Sequence, residues 1–143
     1  MPFDPSQLET VSRGDAERIF EGFSLSEIAE AWCAYQVTKD ARYWWAASLM
    51  WSEPYLSDRG RREKLIETLI ETATDDDVLG GAAAGPLEDA IYDADECVSW
   101  LEARAASSPR FKEALGMVWI WNQVSDERFA RIQRAAGREL PRP

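Results

Sequence analysis

A chain of 143 residues with 45% hydrophobic residues and seven tryptophans matches the commonest size of a single domain and can bury a sizeable core. With 26 acidic against 16 basic residues the formal net charge is −10, a field that repels nucleic-acid phosphates and anionic membrane surfaces and attracts basic partners. There is no histidine, which removes the commonest general base, the Ser-His and Cys-His nucleophile pairs and the usual zinc ligands together.

The acid is unevenly spread. Residues 1–62 hold 10 acids and 7 bases, residues 63–102 hold 12 acids and one base, Lys64, and residues 103–143 hold 4 acids and 8 bases. No apolar run approaches the roughly 18 residues that span a bilayer, and MPFDPSQLET has neither a basic start nor an apolar centre, so a cytoplasmic protein is expected. Cys33 and Cys97 each fall on an apolar stripe and are expected as buried thiols, not a disulfide.

In chain order, residues 1–14 contain Pro2 and Pro5 and are expected as a short helix or flexible arm before a helix over Asp15–Phe23. Ser24 and Glu27 form a capping box, followed by Leu25, Ile28, Ala29, Trp32 and Cys33 at helical spacing as far as Val37. Asp40 caps a third predicted helix whose Trp44, Trp45, Ala47, Leu49, Met50 and Trp51 are apolar all round, placing it centrally until Pro54 closes it. Ser57 or Asp58 starts the next, with Leu65, Ile66, Leu69, Ile70 and Ala73 inward and Glu63, Glu67 and Glu71 lined up opposite.

The stretch TDDDVLGGAAAGPLEDAIYDAD reads as a tight helical hairpin. Thr74 or Asp75 caps the first helix, Asp76 and Asp77 complement its dipole, Gly85 ends it at positive φ, and Pro86 opens the second. Asp95 then opens a helix bearing Cys97, Val98, Leu101 and Ala105. Ser108-Pro109 starts another with Phe111, Leu115, Val118 and Trp119. Ser125 caps the last, with Phe129 and Ile132 inward and Arg128, Arg131 and Arg134 outward, until Gly137 and a tail over 137–143. The expected architecture is a single domain over 1–143, all-α, with eight or nine short helices in stacked antiparallel hairpins, as a right-handed bundle or short HEAT-like solenoid.

Ala84-Gly85-Pro86-Leu87-Glu88-Asp89, the upstream Ile28-Ala29-Glu30-Ala31-Trp32 and Tyr43-Trp44-Trp45-Ala46, and the downstream Ser108-Pro109-Arg110-Phe111-Lys112 with Ala114-Leu115 and Val118-Trp119 resemble a bacterial domain family of unknown function with an Ala-Gly-Pro-Leu-Glu-Asp core. The likeness covers most of residues 24 to 135 and departs from the family pattern between Met50 and Arg62. The resemblance implies an all-helical domain and no established activity.

Asp75, Asp77 and Gly80 occupy positions 1, 3 and 6 of a calcium loop, but Leu79 and Pro86 stand where positions 5 and 12 need oxygen ligands, so no metal is expected. Gly80, Gly81 and Gly85 lack the Lys-Ser/Thr of a phosphate loop, and no cofactor is expected. Glu63, Glu67, Glu71, Asp75, Asp76 and Asp77 are expected to form a negative ridge for a basic protein partner, joined by Glu88, Asp89 and an exposed Trp121; Trp51 is likewise expected to be exposed. No catalytic residue is assigned. These features suggest a non-enzymatic acidic binding protein, most concretely an immunity protein or antitoxin. The alternatives are a nucleic-acid mimic acting on a DNA-binding or defence protein, and an enzyme or small-molecule binder using Glu88 and Asp89.

Overall fold

A computed structural model describes residues 3–93, 96–120 and 124–142, and every regular element among them is helical, so the fold is all-α. The chain divides into two compact units, Met1–Thr72 and Ala73–Pro143.

In the first unit, Asp4 caps a 3-10 turn over Pro5–Gln7, and α1 (Arg13–Gly22) starts at a capping box in which Ser12 Oγ and the Asp15 carboxylate each accept the other's backbone N–H at 3.1 Å. Ser24 and Glu27 repeat that box at the head of α2 (Leu25–Thr38), which Lys39 ends at φ 54°. Asp40 Oδ1 accepts the Arg42 N–H at 3.0 Å to start a 3-10 turn over Ala41–Tyr43, followed by α3 (Trp44–Leu49), α4 (Glu53–Ser57) and α5 (Arg59–Thr72).

The long Trp-rich helix expected between Asp40 and Pro54 is therefore broken. Pro54 lies in the first turn of α4, because a proline inside a continuous helix would leave the Met50 carbonyl without its donor. The amides of Met50, Trp51 and Ser52 tighten onto the carbonyls three residues back, and Ser52 Oγ fills the Leu49 carbonyl at 2.6 Å. Trp45, Ala46, Ala47, Leu49 and Met50 remain buried, whereas Trp51 is 66% exposed, as its position at a helix end suggested. The inward stripe of α5 is as expected, with Leu65, Ile66, Leu69 and Ile70 at 0% exposure, and α5 packs on α2. α1 packs on α4 through Phe20 and Tyr55, whose rings meet edge to face at 5.9 Å.

The second unit opens with Asp75 Oδ1 accepting the Val78 N–H at 2.9 Å, capping α6 (Asp76–Ala82). The hairpin expected at Gly85-Pro86 is absent. The chain passes through one π turn over Ala83–Leu87 straight into α7 (Glu88–Asp93), giving a continuous helical run from Asp76 to Asp93. The wider turn answers the proline, whose ring would collide with the Ala82 carbonyl in an ordinary α turn. Beyond Pro86, the Glu88 N–H reaches the Ala83 and Gly85 carbonyls. Leu79, Ala82, Ala83, Pro86, Leu87, Ala90 and Ile91 form the buried face of this run.

The N-cap expected at Asp95 lies outside the described residues; α8 runs Cys97–Ser107. Ser108 and Ser125 cap α9 (Pro109–Leu115) and α10 (Asp126–Ala136) as expected, and Gly137 ends α10 at φ 69°. α8 packs on both α9 and α10, burying Leu101, Phe111, Leu115 and Ile132. Cys33 is half-buried, Cys97 is buried, and both are free thiols.

Gly85 is not at positive φ, and a β-carbon added there meets nothing within 4 Å. A helical glycine in open space destabilises mainly through backbone entropy, so Gly85→Ala is expected to raise stability by about 0.5–1 kcal/mol. Gly137→Ala should lower it by about 1–2 kcal/mol, because there φ is positive and the new carbon would lie 2.7 Å from Lys112 Cε. Urea denaturation of the two variants checks the pair. A loss of several kcal/mol at Gly85 would restore the hairpin.

Candidate functional site

The outward row of α5 begins less bare than its sequence suggested. Glu63 is ion-paired with Arg59 at i−4, Nε to Oε2 3.2 Å, and its side chain is only 18% exposed. Glu67 is half-buried and Glu71 exposed. Asp76 and Asp77 stand exposed in the first turn of α6, while Asp75 spends one oxygen on its cap. The six carboxylates expected as one ridge are divided between the units, with Glu63, Glu67 and Glu71 in the first and Asp75, Asp76 and Asp77 in the second. Trp121 lies outside the described residues.

Arginines expected to face solvent are turned inward in part. Arg128 Nη2 donates to the Ile91 carbonyl at 2.6 Å, and Arg131 makes a two-pronged bond to Glu102 at 3.2 and 2.5 Å that holds the Glu102 carboxyl below its ordinary range; Arg134 is exposed. Arg110 donates to the Ala73 carbonyl, and Arg142 to the Val124 carbonyl at 2.7 Å. In the first unit Arg61 bridges the Phe20 and Phe23 carbonyls at 2.8 and 3.1 Å, closing the C-terminus of α1.

Sequence reasoning passed over an open cleft of about 480 Å³ in the first unit. Glu17 and Glu21 of α1, Glu53 of α4 and Asp58 line it, with Phe20 and Arg61 among its walls. Glu17 and Glu21 are visible in the sequence as an i, i+4 pair. The break that brings Glu53 beside them is not. Arg13 spans the rim, 3.4 Å from Glu17 and 3.1 Å from Glu53.

Glu88 and Asp89, the pair offered for catalysis, are not brought to one surface. Asp89 is exposed, whereas Glu88 is 9% exposed and accepts the backbone N–H of Trp119. Tyr92, one turn further along α7, donates its hydroxyl to the Trp119 carbonyl at 3.0 Å. Together they grip both faces of one peptide position and leave the Trp119 ring 54% exposed. The carboxylate therefore holds the irregular segment at Trp119 in place, a role unlike the partner-facing one expected from the sequence.

The structure defines an all-α protein whose exposed carboxylates outnumber its outward cations. The chain belongs to a family of unknown function, DUF6869, whose model matches residues 34–140. No curated protein and no solved structure matches it. No helix among the described residues is long and apolar enough to cross a membrane.

Burial pushes the Glu88 carboxyl up to about 7, against the opposing bond from Trp119 and with help from the neighbouring Asp89 charge. A carboxyl whose folded value lies above its unfolded value favours the fold while protonated. Its contribution is fully present below about 4.5 and is lost as the pH rises through about 7. Glu88→Gln keeps an oxygen for the Trp119 amide and removes the charge. It should be more stable than wild type at pH 8 by about 1–3 kcal/mol, with the advantage vanishing near pH 4.5. Denaturation at the two pH values reads this directly, and an equal gap at both would show that Glu88 does not titrate in this window.

Proposed function

We propose that this protein is a non-enzymatic binding protein that captures a basic protein partner through its exposed carboxylates, most concretely as an immunity protein or antitoxin against a cationic toxin such as a nuclease. The observation that carries this reading is the division of labour between the charges. Arg61, Arg110, Arg128 and Arg142 are committed to backbone carbonyls, while Glu21, Glu71, Asp76 and Asp77 are exposed, as are Glu17 and Glu53, which share the single cation Arg13. Such a surface raises the encounter rate with a cation-rich partner and discriminates against anionic ones. The differing environments of Glu88 and Asp89 weigh against a carboxylate pair working on one substrate.

The test leaves in place Asp75, which caps α6, and Glu63, which is paired with Arg59. Glu67→Lys, Glu71→Lys, Asp76→Lys and Asp77→Lys are combined, folding is verified by circular dichroism, and binding to the product of the neighbouring gene is measured at several salt concentrations. Wild-type association should slow as salt rises, and the fourfold variant should bind at least about tenfold more weakly, roughly 1.4 kcal/mol. A Gln/Asn version of the same four positions should fall between the two. A complex indifferent to both salt and charge reversal would overturn the carboxylate reading.

A further inference from the structure

We propose that the first unit carries a pocket for an organic cation, a substituted ammonium or guanidinium group, walled by Phe23, Tyr43 and Trp45 and flanked by the carboxylates of Glu27 and Glu30. The pocket is open to solvent and offers about 460 Å³, within the roughly 300–1,000 Å³ typical of small-ligand sites. It arises because α2 presents Glu27, Glu30, Ala31 and Ala34 at three- and four-residue spacing. The two alanines leave a gap that the aromatic side chains border without filling.

The aromatic wall is fixed in advance. Phe23 and Trp45 pack with ring centroids 5.4 Å apart, and Phe23 also meets Phe3 edge on at 6.4 Å. The Phe23 backbone is pinned on both sides, its N–H to the Ile19 carbonyl at 3.0 Å and its carbonyl to Arg61 at 3.1 Å. The acidic side is partly fixed as well, since Glu27 Oε1 accepts the Ser24 N–H at 3.2 Å in the capping box. Glu30 is exposed and makes no ion pair or hydrogen bond among the described residues. No cation lines the pocket. Of the basic residues near it in sequence, Lys39 lies over Tyr35 at 5.2 Å, outside the lining, while Arg42, paired with Asp40 at 3.2 Å, covers one approach to the Tyr43 ring at 5.0 Å and shows that this wall already receives a guanidinium.

This lining selects its ligand by elimination. An anion meets two carboxylates, and a neutral apolar guest would strip water from them without replacing it. A bare divalent ion needs more oxygen ligands than two glutamates offer, and gains nothing from three aromatic walls. A cation that also carries an apolar envelope, as a quaternary ammonium does, or a planar face that stacks, as a guanidinium does, satisfies both halves, with its charge beside Glu27 and Glu30 and its apolar part against the aromatic side. The pocket shares no residue with Glu67, Glu71, Asp76 and Asp77, so variants at those four positions and at Glu30 test the two readings separately.

The experiment titrates the ¹⁵N-labelled full chain with choline, with its neutral isostere 3,3-dimethylbutan-1-ol, and with the peptide acetyl-Gly-Arg-Gly-amide, which presents the same class of cation from a polypeptide. Saturable shifts of the Phe23, Glu30, Ala31 and Ala34 amides are expected with choline or the peptide, and the tighter of the two identifies a small quaternary ammonium compound or a partner's guanidinium side chain as the source. The neutral isostere should bind at least about tenfold more weakly than the better cation. Glu30→Gln, at an exposed position where folding is not at stake, should weaken that cation by about threefold or more while leaving the isostere unchanged. Equal binding of cation and isostere, an indifferent Glu30→Gln, or no saturable shift with either cation up to about 50 mM would each overturn the proposal.

Discussion

Short helices end often, and every end leaves up to four backbone carbonyls and four amides without intrahelical partners. In this protein the amide side of that obligation is met locally, by Asp4, Ser12, Ser24, Asp40, Asp75, Ser108 and Ser125 bonding forward into the turns they open. Much of the carbonyl side is met from a distance, by guanidinium groups. Arg61 closes α1 from 38 and 41 residues away, and Arg128 and Arg110 reach back 37 residues to Ile91 and Ala73. A charged donor to a carbonyl contributes about 1.5–3 kcal/mol, and withdrawing it would leave a half-buried carbonyl exposed to the full cost of desolvation. These arginines act as struts that tie each unit together across its own sequence.

That use of arginine reshapes the charge map. By sequence the negative charge peaks in residues 63–102, but the unit boundary after Thr72 cuts that segment, and each unit holds 13 acidic and 8 basic residues. The basic C-terminal segment shares a unit with Asp75, Asp76 and Asp77, and four of its arginines, Arg110, Arg128, Arg131 and Arg142, turn toward the Ala73, Ile91 and Val124 carbonyls and the Glu102 carboxylate, while Arg134 and Arg138 stay exposed. A net imbalance thus becomes a surface one. Arg61, Arg110, Arg128 and Arg142 are drawn toward the backbone, and most of the carboxylates among the described residues remain in solvent.

Caps and stripes were legible because each is a local matter. A serine or aspartate with the right residue three positions on decides a helix start within one turn, and the α5 stripe needs only its own periodicity. The punctuation was misread where a local signal conflicted with a longer one. Gly85-Pro86 looks like a break, yet Leu79, Ala82, Ala83, Leu87, Ala90 and Ile91 keep an apolar face running through it, and burial of that face outweighs the amide that proline lacks once the turn widens. At Pro54 the balance goes the other way. Ser52 offers the Leu49 carbonyl an alternative donor, and the chain leaves helix for a tight turn before resuming.

The same π turn sets the place of Glu88. An ordinary α-helix turns about 100° per residue, so three consecutive residues spread over more than half its circumference and cannot all face one neighbour. Pro86, Leu87 and Glu88 are nevertheless all buried, because the extra residue of the wider turn shifts the phase of everything after it. A carboxylate that ordinary periodicity would send outward beside Asp89 is carried into contact with the Trp119 backbone. The pocket on α2 was hidden for a related reason. Its alanines and glutamates could be placed on one helix face from spacing alone, but the gap they leave depends on Phe23, Tyr43 and Trp45, and the rings are set there by the α1 to α2 connection and the broken Trp-rich segment. Both features follow from departures from regular helix, which no single-period reading of the chain can supply.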